Sequence, residues 1–392
     1  MRILAVHNYY QRRGGEDSVF EKEASLLEQN GNQITRFTVH NREIAAMNAI
    51  RAGLGTLWNP AVYAQLRRVI RSVRPELVHC HNTFPLLSPA VYYAAKREGV
   101  AVVQTLHNFR LLCSNALLLR DGKICEDCIG KAVTWPGLLH RCYRGDRLAS
   151  AAVMTMQSLH RALGSWRTKV DRFIAPTNFS REKHAQGGLP RELIAVKPHF
   201  VDPDPKPGDG SGGFLLFVGR LSQEKGVGTL LKAWQQEGHL PPLRLVGDGP
   251  MSDEVQEVSA AVSHVEWLGP LPLQQVLDLV GSARFLIVPS TCYESFSSVI
   301  AEAFAKGTPV IASRHGALAE NVSEGHTGFL FTPGDRADLA RTIAHAWGLG
   351  EDDYRLHRTR ARVEYEQHYT AERNYSMLYD IYRQAIGAAQ ST

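Results

Sequence analysis

At 392 residues the chain is too long for a single compact core, and two domains are expected. A hydrophobic share of 44% with 21% charged residues is that of a soluble globular protein. No uninterrupted apolar run reaches membrane-spanning length, and MRILAVHNYY is too short and too soon charged for a secretory leader, so a cytoplasmic location is expected, with peripheral attachment to the inner membrane face left open.

Net charge is +5, divided unevenly: residues 1–200 carry about +13 and the remainder about −8. A basic first half suits an anionic partner such as phospholipid, nucleic acid or a phosphorylated substrate. RILAVHNYY (2–10) reads as a buried strand, followed by the loop QRRGGED and a helix from Ser18 with Val19, Phe20, Leu26 and Leu27 as its apolar stripe. Gly31 suits the helix's C-terminal cap. Gly14 and Gly15 stand at the strand's C-terminal end, where open α/β sheets bind ligands and where glycine lets backbone come close to one. A plain turn is the other reading of that pair. QITRFTVH (33–40) is a second strand.

Residues 41–74 are expected to be less regular, with one amphipathic helix in which Val62, Leu66, Val69 and Ile70 oppose Arg67, Arg68, Arg71 and Arg74. Such a basic helix either packs on a sheet or touches an anionic membrane. ELVHCHN (76–82) and VAVVQTLHN (100–108) are further strands, with a helix around 88–97 between them. Each ends in histidine, which places His79, His81 and His107 at the ligand edge. His107 ranks first because it follows a long clean strand.

Residues 113–142 then interrupt the alternation. Cys113, Cys125, Cys128 and Cys142 are spaced C-x11-C-x2-C-x13-C around an Asp-Gly turn at 121–122. The spacing fits a tetrahedral structural zinc site with His140 as a replacement ligand; buried thiols, redox use and disulfides are the alternatives. Four protein ligands leave no open position, so that metal would hold a loop in place. After a helix (146–165), KVDRFIAPTNFSREK reads as strand, turn and helix, and residues 194–213, rich in proline and glycine, as an interdomain linker.

The second half restarts the alternation with FLLFVGR, LRLVGDGP, HVEWLG, ARFLIVP, TPVIAS and GFLFTP as strands, and VEYEQHYTAERNYSMLYDIYRQAI as one long closing helix. Neither half carries G-x-G-x-x-G after its first strand or G-x-x-x-x-G-K-[ST], which removes most weight from dinucleotide and P-loop readings. Instead Gly219-Arg220 closes a strand and Lys225-Gly226 opens the next helix. Two cations at a helix start suit a diphosphate. In PSTCYESFSSVIAEAFAKGTP (289–309), Glu294 precedes Ser297-Ser298, a cap for the following helix, and Glu302 lies eight positions after Glu294, about two helical turns on, which places Glu294 in the loop over the helix N-terminus and Glu302 on the helix flank. Solvated charges are the alternative for all four ions.

GRLSQEKG (219–226), VGDGP (246–250) and PSTCYESFSSVIAEAFAKGTPVIAS (289–313), together with Gly14-Gly15, TLHN and KPHFVDPDP, resemble the retaining GT-B-fold glycosyltransferases of family 4, also called group 1, over nearly the whole chain. The resemblance implies an α/β protein of two Rossmann-like domains facing across a cleft. Residues 1–200 would form the acceptor-side domain with the Cys-rich insert 113–142, and 201–370 the nucleotide-sugar domain. Residues 371–392 would form a helix returning to the first domain. It implies that Arg220 and Lys225 bind the donor diphosphate after Gly219, and that Glu294 holds the sugar hydroxyls and Glu302 the ribose. Backbone N–H groups at Phe296, Ser297 and Ser298 would meet the phosphates, with Gly14 and Gly15 approaching from the other domain, and His107 would lie at the reacting centre. Asn178 and His199 depart from the family pattern, where Ser and Asn are common.

The expected activity is transfer of a sugar from a nucleotide-diphosphate sugar to a saccharide or polyprenyl-diphosphate-linked acceptor, with retention and without a catalytic cofactor or divalent metal, in cell-surface polysaccharide or glycoconjugate synthesis. Arg12 and Arg13 beside Gly14 suggest an acceptor bearing phosphate. A GT-B-fold nucleotide-sugar epimerase and a non-enzymatic nucleic-acid-binding protein are the alternatives. The second is disfavoured because the basic residues lack interleaved aromatics, so nucleic acid is not the expected partner.

Overall fold

The computed structural model describes residues 1–11, 14–237 and 239–390. They form two compact units, the first comprising Met1–Leu118, Glu126–Pro198 and the chain from Asn374 on, the second Leu119–Cys125 and His199–Arg373. Arg12 and Arg13 lie outside the described residues.

The first unit is built on strands β1 (Arg2–Tyr9), β2 (Gln33–His40), β3 (Leu77–Cys80), β4 (Ala101–Thr105), β7 (Arg172–Ala175) and β8 (Ile194–Val196). Two short strands intervene in the chain, β5 (Leu119–Arg120) and β6 (Lys123–Ile124), which form a separate antiparallel hairpin. The main sheet has the order β2-β1-β3-β4-β7-β8, and its pairings are parallel. Parallel strands need helical crossovers, so helices cover both faces and the central strands are apolar on both sides. Alternate residues serve alternate faces. Leu4, Val6, Val78 and Val102 pack with Val62, Leu66, Ile70 and Val91, while Ile3, Leu77, Ala101 and Val103 pack with Leu27 and with Leu378, Ile381, Tyr382 and Ala385 of the last helix, Ala371–Gln390.

The second unit repeats the plan with β9 (Leu215–Val218), β10 (Leu243–Val246), β11 (Val265–Trp267), β12 (Phe285–Val288), β13 (Val310–Ser313) and β14 (Gly328–Phe331) in the order β11-β10-β9-β12-β13-β14. From β9 the chain winds to one side, then from β12 to the other, which creates a crevice between the carboxyl ends of β9 and β12. In the first unit the same reversal falls between β1 and β3.

Three expectations are corrected. Residues 41–74 are regular: a 3-10 turn over Asn41–Ala46 and helices Ala49–Leu57 and Pro60–Val73, the last two opened by Asn48 and Asn59 side chains accepting N–H bonds from Arg51 and Val62. The stretch 194–213 is not linker throughout, because Ile194–Val196 is the sixth strand and Lys197 behind it is fully buried. The closing helix is two helices, Glu351–His368 and Ala371–Gln390. Buried Tyr369 separates them, and its carbonyl accepts the Val201 N–H at 3.0 Å.

Candidate active site

The crevice of the second sheet is assembled from backbone. A Cβ at Gly226, where φ is +76°, would lie 1.8 Å from the Pro289 carbonyl oxygen, so glycine alone lets the turn after β9 close on the end of β12. Thr291 N–H donates to Glu224 O at 2.9 Å across the same seam. On the other flank, Leu221 N–H donates to Asp248 O and Met251 N–H to Leu221 O, both at 3.0 Å. A Cβ at Gly249 would sit 2.3 Å from Leu221 O. The glycines of VGDGP therefore serve close backbone packing under the Gly219-Arg220 turn.

On this platform Lys225 Nζ lies 2.9 Å from Glu294 Oε1, which also accepts from the Ser290 hydroxyl. The Lys225 side chain is 34% exposed and that of Glu294 8%. Burial works against the ammonium, but Glu294 foremost outweighs it and raises the lysine's pKa, so Lys225 is a cation at neutral pH. Arg220 is exposed on the preceding turn. Helix Ser298–Ala305 begins four residues after Glu294, with Ser297 at its N-cap and no side-chain cap bond. A half-exposed cation, a carboxylate that accepts hydroxyl protons, and a helix start suit an anionic ligand rich in hydroxyls. Phe296 is half-buried, edge-on to His199 at 5.0 Å and Tyr369 at 5.9 Å. Glu302 is half-buried one turn inside the helix. Glu294 thus stands in the loop before the helix and Glu302 on the helix, as expected, with one helical turn of the eight-residue spacing lying inside the helix.

His315 was not singled out from the sequence. It follows β13 at the same edge and donates through Nε2 to Ser290 O at 2.8 Å. Burial lowers its pKa, and Nδ1 makes no hydrogen bond. Its ring lies 5.6 Å from that of Tyr293. A histidine on the loop after a strand, as at His107, is the signal that could have found it.

At the first unit's edge, Gly14 caps helix Gly15–Gln29 and its N–H donates to Asp17, whose other oxygen meets His7 Nε2 at 2.7 Å. A Cβ at Gly15 would meet no atom within 4 Å, so neither packing nor conformation demands glycine there. His107 lies two residues beyond the end of β4, its Nε2 3.0 Å from His81 Nδ1. His81 Nε2 is 3.6 Å from Glu23 Oε2, and Glu23 Oε1 is 2.6 Å from Lys197 Nζ. Lys197 also donates to Asn374 at 3.1 Å. His79 is not at the edge as expected. It sits within β3 and spends both ring nitrogens, on Thr105 at 2.8 Å and Tyr382 at 2.7 Å. Burial, with Lys197 nearby, pushes its pKa down to about 3. His81 is also driven well below the usual range, by burial first and then by His79 and His107. Glu23, His79 and His81 offer ligand atoms within 4.8 Å of one another. They make a poor metal site, because Lys197 already supplies the cation and His79 has no nitrogen to spare.

Cys113, Cys128 and Cys142 belong to the first unit. Cys113 Sγ lies 2.9 Å from Asn115 Oδ1, in a thiol hydrogen bond. Cys125 falls in the segment grouped with the second unit. On helix Pro60–Val73 the apolar side is buried in the core, and Arg67 and Arg71 both bind Glu98, at 2.5 and 2.9 Å.

Residues 3–205 match the family described as Glycosyltransferase Family 4, and residues 213–348 the one described as Glycosyl transferases group 1. The chain belongs to glycosyltransferase family 4. An uncharacterized glycosyltransferase of Methanocaldococcus jannaschii is 34% identical over 137 residues, 34% of this chain and 38% of that protein. D-inositol 3-phosphate glycosyltransferase 2 of Catenulispora acidiphila is 26% identical over 302 residues, 72% of this chain and 64% of that protein. The chain thus spans less than two thirds of the length of these curated relatives. Among solved structures, a glycosyltransferase of Rickettsia africae has a TM-score of 0.72 at 17% identity over 98% of both chains. Anabaena HepE, solved in complex with UDP, has a TM-score of 0.68 at 20% identity over 97% of this chain and 99% of its own. The fold is GT-B, with two parallel-sheet Rossmann-like domains.

Proposed function

We propose that this protein transfers a sugar from a nucleotide-diphosphate sugar to a saccharide or lipid-linked saccharide acceptor with retention of anomeric configuration. The observation that carries the reading is the Lys225–Glu294 pair at the crevice of the second sheet, poised at a helix start. In this reading Lys225 exchanges Glu294 for the donor diphosphate, and Arg220 joins it as a planar fork on the phosphate oxygens. Glu294, released, accepts from hydroxyls of the sugar, and Glu302 from those of the ribose. N–H groups from Phe296 to Ser298 complete the anion site. Positive charge fixed before the reaction stabilises the departing nucleotide, so no divalent metal is required. Gly15, whose missing Cβ the fold does not demand, and His107, held by His81, serve the donor from the first unit's own edge. A diphosphate oxygen can take the acceptor's proton, which frees both glutamates from acid–base work. The setting would be synthesis of cell-surface polysaccharide or glycoconjugate.

The donor is found by a thermal-shift screen of UDP-, GDP-, ADP- and dTDP-sugars. Transfer should then survive EDTA and fall about 10²–10³-fold in Lys225→Ala. A strict Mg²⁺ or Mn²⁺ requirement, or conversion of the donor sugar without any transfer, would overturn the reading.

A further inference from the structure

Large apolar side chains left on the surface of the first unit concentrate around one helix. Arg147–Ala162 turns Ser150, Val153, Met156, Gln157 and His160 inward. Leu148 and Leu159, eleven residues or three turns apart, align on the opposite face, and Leu148 is 79% exposed. Helix Ala49–Leu57 flanks that face. A Cβ on Gly53 would touch Ala152 at 3.8 Å, and His160 Nε2 donates to Leu57 O at 2.8 Å. This places Leu54, 64% exposed, beside the stripe. On the other flank, residues 131–143 run along the same helix. Thr134 bonds Gln157 at 2.7 Å, Tyr143 N–H bonds Ser150 at 3.0 Å, and Arg161 reaches the Lys131 carbonyl. That segment presents Trp135 and Leu139, both more than half exposed.

The charge around these side chains is mostly positive. Arg51, Lys131, Arg141, Arg144 and Arg147 are exposed. Asp146, the one acid between residues 131 and 163, is occupied in capping the helix, accepting from Ala149 N–H at 2.7 Å. The Lys131 ammonium stands 5.9 Å from the centre of the Trp135 ring. Exposed leucines, a tryptophan and long cationic side chains together match a bilayer interface, where apolar groups enter the acyl boundary and charges meet anionic headgroups.

We propose that this face, formed by helices Ala49–Leu57 and Arg147–Ala162 with the 131–143 segment, docks on an anionic lipid bilayer. Helix Pro60–Val73, the amphipathic stretch most evident in the sequence, does not take this part, because its apolar residues are core and Glu98 holds Arg67 and Arg71. The inference stands on this surface and not on the sugar-transfer reading.

The test is sedimentation of the full chain, without donor, with vesicles of phosphatidylcholine alone or mixed with phosphatidylglycerol. Wild type should pellet with the anionic vesicles only. Leu148→Glu with Leu159→Glu should weaken binding at least about tenfold, since each change removes apolar contact and adds repulsion. Lys131→Glu with Arg147→Glu should do the same and serves if the first pair lowers the thermal midpoint. Arg68→Glu on helix Pro60–Val73 should bind as wild type. Wild type left in the supernatant, pelleting that ignores lipid charge, or both pairs binding undiminished would each overturn the proposal. So would a dimer in light scattering that the leucine pair dissolves, because a second copy would then be the occupant.

Discussion

At the crevice of the second sheet a lysine and a glutamate meet at 2.9 Å with the lysine side chain a third exposed, whereas behind the edge of the first sheet a lysine and a glutamate meet at 2.6 Å with neither side chain more than 1% exposed. The residue types are the same and the physical roles differ. Lys225 lies within reach of solvent, so a ligand phosphate can approach it and replace its partner. Lys197 and Glu23 have given up their hydration, and each depends on the other and on Asn374 and His81. Charge near water is available for binding; charge sealed from water orients its neighbours, here the stack that leads through His81 to His107.

The largest effect should come from breaking the sealed pair. Glu23→Gln leaves the Lys197 ammonium buried and uncompensated, at a cost of about 3–5 kcal/mol. Chemical denaturation of the full chain measures it. Combining Glu23→Gln with Lys197→Met should recover much of the loss, and an additive double variant would remove the basis of the comparison. At the open pair, Lys225→Ala should cost less stability than Glu23→Gln, because Glu294 keeps the Ser290 hydroxyl, and should lower kcat about 10²–10³-fold, the usual consequence of losing one preorganised charge donor. A large stability loss with intact turnover would reverse the two roles.

Acid separates the regions next. His79 and His81 are held neutral by burial, while the unfolded chain takes up protons at a pKa of about 6.5. Folded pKa values below unfolded ones mean that the unfolded state binds more protons as the pH drops. Stability should therefore fall below about pH 6.5, by about 1.4 kcal/mol per pH unit for each histidine. Urea midpoints at pH 7, 6 and 5 provide the check; midpoints independent of pH would contradict the buried, neutral assignment. The smallest effects distinguish the glycines. Gly226→Ala should cost about 1–3 kcal/mol, from its positive φ and the Pro289 carbonyl in its way. Gly15→Ala should shift stability by no more than about 0.5 kcal/mol, there being nothing for its methyl group to meet, and yet lower donor turnover. Unchanged turnover would remove Gly15 from the site.

Strands of the second half were legible because each is a short apolar run ended by glycine or proline, and a parallel sheet buried on both faces leaves that pattern in the chain. β8 was hidden because three residues before Lys-Pro read as linker, and nothing nearby in sequence announces that Glu23 awaits Lys197 from 174 positions away. His79 was misplaced because a strand end is uncertain by a residue or two, which decides between the edge and the interior. The break at Tyr369 depends on a bond to Val201, again distant in sequence.

The sequence by itself determined the class of fold, the two repeats of alternating strand and helix, the family, and the residues Arg220, Lys225, Glu294 and Glu302 as the ones to examine, since local motifs and turn chemistry carry that information. Only the tertiary structure decided which charges are sealed and which are open, that VGDGP packs backbone in place of gripping phosphate, and that the exposed apolar face surrounds Leu148 and not the helix of Arg67 and Arg71. Burial and pairing depend on residues far apart in the chain, and no local pattern encodes them.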